Sequence, residues 1–142
     1  MIFREWKLSD VGSVVALEKK CFFDPWNADM VLSSFNLPQF VGFVAENDGE
    51  VIAYVGATRI FDDCDILLVA TDEKYRRRGV ASSLFQKLFD KLKGENVKRA
   101  FLEVRSKNLA ARACYSSLGF VEAGVRRNYY GDDDAIVMEK DL

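Results

Sequence analysis

The chain has 142 residues, 49% of them hydrophobic, which is enough to bury one core and too few for a second domain of ordinary size. Its 20 basic and 22 acidic side chains leave a net charge of −2, so no overall field recruits nucleic acid or an anionic membrane. With no histidine, Ser-His-Asp and Cys-His systems, an imidazole base and histidine metal sites are all excluded, and acid–base chemistry falls to Glu, Asp, Tyr, Lys or Cys. Cys21, Cys64 and Cys114 are odd in number and far apart, without a C-x-x-C, so neither a disulfide framework nor a zinc site is expected. Met1 to Trp6 lacks a leader's basic start and apolar core, and no apolar run approaches bilayer length, so a cytoplasmic protein is expected.

Ile2 to Trp6 alternates as a short strand does, and Ser9 or Asp10 is placed to cap a helix carrying Val11, Val14, Val15, Leu17 and Glu18 toward Cys21. Pro25 in Phe22-Phe23-Asp24-Pro25-Trp26 forces a turn. Asn27 or Asp29 then starts a second helix through Val31, Leu32 and Phe35 that ends before Pro38. Val41 to Glu46 and Val51 to Phe61 read as strands of an antiparallel hairpin, because Asn47-Asp48-Gly49-Glu50 between them tolerates positive φ. Asp62-Asp63-Cys64 is the next turn, and Ile66 to Thr71 is nearly all apolar, as a central strand covered on both faces would be.

Val80, Leu84, Phe85, Leu88, Phe89 and Leu92 then recur at helical spacing, with Gly94 placed to end the helix. Ala100 to Val104 reads as a strand, Leu109 to Leu118 as a helix ending in Gly119, and Val121 to Arg127 with Ala135 to Lys140 as a final strand pair. No linker, repeat or low-complexity tract interrupts the order, so a single domain over 1–142 is expected. The alternation of strands and helices after residue 64 requires at least one parallel crossover, joined to the antiparallel hairpin. The expected class is α/β with a mixed sheet.

Arg76-Arg77-Arg78-Gly79-Val80-Ala81 stands where the apolar strand turns into the amphipathic helix. Such a junction aims free backbone N–H groups and the positive helix end at one point beside three guanidinium groups, which suits a pyrophosphate. The spacing is neither G-x-G-x-x-G nor a P-loop. A solvated basic turn is the plainer reading of the same hexapeptide. In Leu102-Glu103-Val104-Arg105, a carboxylate and a guanidinium leave one face of a strand while leucine and valine leave the other. That pair is either an exposed ion pair of small energy or a carboxylate at the ligand crevice of an α/β sheet. Asn108 suits a helix cap, and Tyr115 suits an aromatic packed on the sheet with its hydroxyl at the rim.

Arg-x-x-Gly-x-Ala at Arg76 to Ala81 resembles the acetyl-CoA loop of GNAT acetyltransferases. Leu102 to Asn108, Ala111, Tyr115, Leu118-Gly119-Phe120, Arg126 to Tyr130 and Asp134 to Met138, with Phe22 and Pro25-Trp26, together resemble RimI-type N-acetyltransferases over nearly the whole chain. The resemblance implies the GNAT fold: antiparallel N-terminal strands, a parallel central pair and helices on both faces of the sheet. It also implies acetyl-CoA as cosubstrate, no metal, and acetylation of a protein N-terminal α-amine, notably the alanine of small-subunit ribosomal protein eighteen. Carried over residue by residue, it makes Glu103 the general base, Tyr115 the general acid and Asn108 a coenzyme contact. Val69, Ala70 and Thr71 would line acetyl-CoA with main-chain groups, and Arg77, Arg78, Gly79, Val80, Ala81 and Ser82 would wrap its pyrophosphate. No nucleic-acid or membrane partner is implied, and an accessory protein is left open. Leu68, Thr71 and Glu73 depart from the usual residues around that loop, and Tyr129 to Asp134 is shorter than in many relatives. Its paired tyrosines and three aspartates suit either a groove for a cationic N-terminus or the packed edge of the sheet. A small-amine acetyltransferase on the same scaffold, or a silent acetyl-CoA-binding module, would keep the fold and change the function.

Overall fold

Alternating burial and helical stripes sort the chain into one seven-stranded sheet and four α-helices, seen in a computed structural model that describes all 142 residues. In chain order these are β1 (Ile2–Glu5), α1 (Val11–Cys21), α2 (Ala28–Phe35), β2 (Phe40–Asn47), β3 (Glu50–Ile60), β4 (Asp63–Thr71), α3 (Val80–Gly94), β5 (Arg99–Arg105), α4 (Leu109–Ser117), β6 (Val121–Arg126) and β7 (Ala135–Asp141). The strand order is β1-β2-β3-β4-β5-β7-β6, and every neighbouring pair is antiparallel except β4 and β5. The crossover between those two carries α3, as a parallel connection requires. No helix is long and apolar enough to cross a membrane.

The two faces of the sheet are covered by different helices. Val80, Leu84, Phe85, Leu88, Phe89 and Leu92 of α3 are all buried, against Phe43, Val55, Ile66, Leu102 and Met138 of the sheet. Each such side chain contributes roughly 1.5–3 kcal/mol of burial. Ala111 and Tyr115 of α4 pack on the same face. On the other face, Val14 and Leu17 of α1 and Val31 of α2 meet Trp6, Val44, Tyr54 and Leu68.

Trp6 fixes where β2 and β3 run beneath that second face. Its indole N–H donates to the carbonyls of Phe43 at 3.1 Å and Val55 at 3.0 Å, and its ring stacks on Phe35 and meets Phe40 edge-on. The approach works only because Gly42 carries no side chain: a Cβ there would lie 2.8 Å from Trp6 Nε1 and 2.9 Å from the Phe40 ring. Gly42→Ala is therefore expected to cost about 1–3 kcal/mol and lower Tm by several degrees in a thermal melt. An unchanged Tm would mean that the indole moves aside freely.

Two local expectations are corrected. Neither Ser9 nor Asp10 caps α1: the chain enters through a 3-10 turn at Leu8–Asp10, and the buried Asp10 carboxylate turns back to accept the Lys7 N–H at 2.7 Å and the Arg4 guanidinium at 2.8 and 2.9 Å. Burial works against that charge, but Arg4 and the Lys7 amide hold the carboxyl below its ordinary range. The turn after β3 lies at Phe61-Asp62, with Phe61 at φ 54°, so Asp63 and Cys64 already belong to β4. The third helix ends at Gly94, as expected, and the left-handed residue that follows it is Asn96 at φ 62°. The Asn47–Glu50 hairpin forms as expected, with Asp48 and Gly49 at φ 51° and 82°.

Candidate active site

A single extra residue in β4 opens the sheet. Gly56 pairs with Leu68 and Ala57 with Ile66, so Leu67 is bulged out of the ladder. Before the bulge Cys64 and Ile66 face α3, and after it Leu68 and Ala70 face α1 and α2. The parallel pairing of β4 with β5 covers only Asp63↔Arg99 through Asp65↔Phe101. Beyond it the two strands part, leaving free edges on the C-terminal halves of both. Asp72 N–H donates to Ile52 O at 2.8 Å, so alternation keeps the Ala70 amide in the β3 ladder and turns those of Val69 and Thr71 to the gap.

At the upper end of the gap the chain makes a 3-10 turn at Glu73–Tyr75 and enters α3 through two left-handed residues, Arg77 at φ 64° and Gly79 at φ 75°. The backbone N–H groups of Arg77 through Ser82 donate to no acceptor within the chain. Together with the start of α3, they form a cradle with the polarity an anion requires. Arg76 Nε donates to Thr71 O at 3.1 Å, and the Arg78 guanidinium lies over the Tyr75 ring, 5.4 Å from its centroid.

Two cavities meet in the gap. The first, about 700 Å³, runs along the cradle and is lined by Val69, Ala70, Thr71, Arg76, Arg77, Gly79, Val80, Ala81, Ser82 and Asn108, among others. The second, about 670 Å³, opens on the other side of the sheet between the α1–α2 loop, Glu103, Lys107 and the β6–β7 loop. Phe22, Val69, Asn108, Ala111 and Tyr115 line both. Of the residues given a catalytic or coenzyme role from sequence, only Glu103 belongs to the second cavity alone, and Arg78 lines neither, its place being taken by Arg76.

Tyr115 projects from α4 with its ring edge-on to Phe85 and Phe120, at centroid distances of 6.0 and 6.1 Å. Burial pushes its phenol above the ordinary tyrosine range, so the group is a neutral donor at physiological pH. Asn108 caps α4 by accepting the Ala111 N–H at 3.1 Å, as its position before the helix predicts. Glu103 is half-buried on β5, and its Oε1 lies 3.3 Å from Arg126 Nε. Arg126 is largely exposed, so that pair orients the carboxylate more than it stabilises the fold.

The acidic β6–β7 loop is held together by its own carboxylates. Asp133 accepts the Ser106 hydroxyl and the amides of Lys107 and Asp134, which hold it below the ordinary carboxylate range, with Ser106 the main cause. Asp134 accepts the Asn128 N–H at 2.8 Å, and Asp132 pairs with Arg105 at 2.6 Å. Arg105 in turn lies 4.2 Å from the Tyr130 ring centroid and so sets that ring against the second cavity. The three aspartates thus shape the loop, and none is left as a free countercharge for a ligand.

Composition and periodicity did not mark Glu18 as part of this site. It sits on α1, is 3% exposed, and lines the second cavity. Its carboxylate accepts the Trp26 N–H at 3.0 Å and the hydroxyl of Tyr54, whose phenol is pushed up by burial first and by Glu18 second. A charged residue within the buried stripe Val14, Leu17 is the signal that sequence offers for it.

Residues 11–120, which include the strand gap and the free-amide cradle before α3, match the family model of the acetyltransferase (GNAT) family. The chain belongs to that family, and it is an acyltransferase of the RimI type. It is 33% identical over 134 residues to the [ribosomal protein bS18]-alanine N-acetyltransferase of Escherichia coli K12, covering 92% of this chain and 90% of that protein. The crystal structure of the ribosomal-protein-S18-alanine N-acetyltransferase from Escherichia coli superimposes with a TM-score of 0.93 at 30% identity, over 99% of this chain and 93% of that one. Ard1 from Thermoplasma volcanium gives a TM-score of 0.90 at 26% identity, over 99% and 97%.

Proposed function

We propose that the chain, acting as one domain over 1–142, transfers the acetyl group of acetyl-CoA to the α-amine of a protein N-terminus. The preferred acceptor is an alanine-led N-terminus such as that of ribosomal protein bS18. The observation that carries this reading is the meeting of the two cavities at Val69, Asn108 and Tyr115, with an anion cradle at one end and Glu103 at the other. The identity to the Escherichia coli enzyme supports the acceptor.

In this reading the free amides of Arg77 to Ser82, with Arg76 and Arg77, hold the coenzyme's pyrophosphate, and the edge of β4 takes its pantetheine arm as a strand would. The Val69 N–H, turned into the gap, polarises the thioester carbonyl and stabilises the oxyanion that forms on attack. Glu103 takes a proton from the incoming ammonium, through water, and Tyr115 returns one to the departing coenzyme thiolate. No covalent enzyme intermediate is required, because amine and thioester meet directly between the two cavities. The acceptor's first residues lie between the α1–α2 loop and Tyr130.

Arg77→Ala is expected to raise the KM for acetyl-CoA roughly 5–20-fold while leaving the peptide KM unchanged, the loss of one charge-assisted phosphate contact. Arg78→Ala should change it less than 3-fold, since that side chain rests on Tyr75 outside both cavities. Equal effects in steady-state kinetics would place the pyrophosphate elsewhere on the turn. The acceptor class is tested by comparing kcat/KM for an alanine-led peptide with that for a polyamine and an aminoglycoside. Preference for the peptide supports the proposal, and preference for either small amine replaces it with the small-amine reading.

A further inference from the structure

The second cavity has one wall that regular secondary structure does not hold. Between α1 and α2 the residues Phe22, Phe23, Asp24, Pro25 and Trp26 all line it, and Phe23 is fully exposed. Across Phe23–Trp26 a single hydrogen bond joins the loop to the rest of the chain, from Trp26 N–H to Glu18 Oε1 at 3.0 Å. Glu18 cannot simply swing away with the loop, because its other oxygen accepts the hydroxyl of Tyr54, a fully buried residue in the middle of β3. One buried carboxylate thus ties the last turns of α1, the loop and the central sheet together. A surface ion pair would be a weak tether, but a buried carboxylate whose oxygens both accept hydrogen bonds has one low-energy geometry and a high cost for leaving it. The other charged groups facing the cavity are engaged elsewhere or lie in solvent: Glu103 with Arg126, Arg105 with Asp132, Asp133 with Ser106 and Lys107 N–H, and Asp24 and Lys107 at the rim.

We infer that Glu18 is a positioning residue for the acceptor: through the Trp26 amide it fixes the α1–α2 loop as one wall of the acceptor groove and sets acceptor affinity without touching the acetyl donor. The inference rests on the assignment of the second cavity to the acceptor. It requires the hydrogen bond, and not the negative charge, since a glutamine oxygen can still accept the Trp26 N–H while its amide nitrogen faces the Tyr54 hydroxyl oxygen.

The test uses the full chain and three proteins: wild type, Glu18→Gln and Glu18→Met, the last keeping the volume of the side chain and removing its acceptors. Peptide KM, acetyl-CoA KM and kcat are measured together with hydrogen exchange at the Trp26 amide. For Glu18→Met the peptide KM should rise about 10-fold or more and Trp26 exchange should accelerate by at least as much, with acetyl-CoA KM within 2-fold of wild type. Glu18→Gln should restore both readings to within about 3-fold of wild type. A peptide KM unmoved in Glu18→Met overturns the inference, as does a Glu18→Gln protein as impaired as Glu18→Met, which would make the charge the operative feature. Should Glu18→Met fail to fold, judged by loss of its acetyl-CoA-induced rise in Tm, the comparison of Glu18→Gln with wild type decides by the same criterion. A wild type that acetylates only small amines defeats the acceptor assignment of the preceding section instead, and the KM comparison is then made with that amine.

Discussion

Glu103→Gln is expected to lower kcat with an alanine-led peptide about 10²–10³-fold at pH 7 and to leave the acetyl-CoA KM within 2-fold. Glutamine keeps the shape of the side chain and can still accept from Arg126, so the substitution removes basicity and little else. The loss should depend on pH in a definite direction. A peptide α-amine has an ordinary pKa of about 7.7–8.0, so below that value the acceptor arrives as ammonium and needs a base. Above it the acceptor arrives already neutral. The ratio of wild-type to variant kcat/KM should therefore be largest near pH 6.5 and shrink as pH rises past about 8.5. In a chain without histidine, Glu103 is the one carboxylate that the strands present to the second cavity. A ratio constant across that range would remove Glu103 from the proton path.

Tyr115→Phe comes second in expected effect, with kcat reduced roughly 10²-fold and both KM values nearly unchanged, because the hydroxyl acts on the leaving thiolate and not on binding. The ring contacts with Phe85 and Phe120 survive the substitution, so Tm should hold. The phenol's raised pKa carries its own consequence. Burial keeps the proton on Tyr115 beyond the pH at which an ordinary tyrosine ionises, so wild-type kcat should show no basic fall between pH 8 and 10. A fall in that range that disappears in Tyr115→Phe would show the phenol ionising early and contradict its environment here. An undiminished kcat would leave the thiolate to be protonated by solvent.

Much of this architecture was legible in the residues because most elements bury only one face. The α3 stripe from Val80 to Leu92, the Asn27 and Asn108 caps, the Asn47–Glu50 hairpin and the alternation of Leu102 to Arg105 each state a period or a turn that the structure adopts. The feature that opens the site was not legible. Ile66 to Ala70 is apolar throughout, so nothing in its pattern reports that Leu67 is bulged and that the strand changes face there. The same limit applies to side chains whose partners are distant in sequence. Arg76, Arg77 and Arg78 are alike on paper, and only the left-handed turn at Arg77 sends two toward the cavity and one onto Tyr75. Asp133 and Asp134 read as charge for a ligand until their amide partners are seen, and Glu18 reads as an ordinary helix residue until Tyr54 and Trp26 close over it.

The most direct test of acetyl transfer to a protein N-terminus is mass spectrometry of an alanine-led peptide incubated with the purified chain and acetyl-CoA, with free thiol followed in the same tube. The expected result is one added acetyl group, located on the α-amine by fragmentation, with thiol released in equal amount. Acetyl groups found only on lysine side chains, or no thiol release although acetyl-CoA binds and raises Tm, would contradict it.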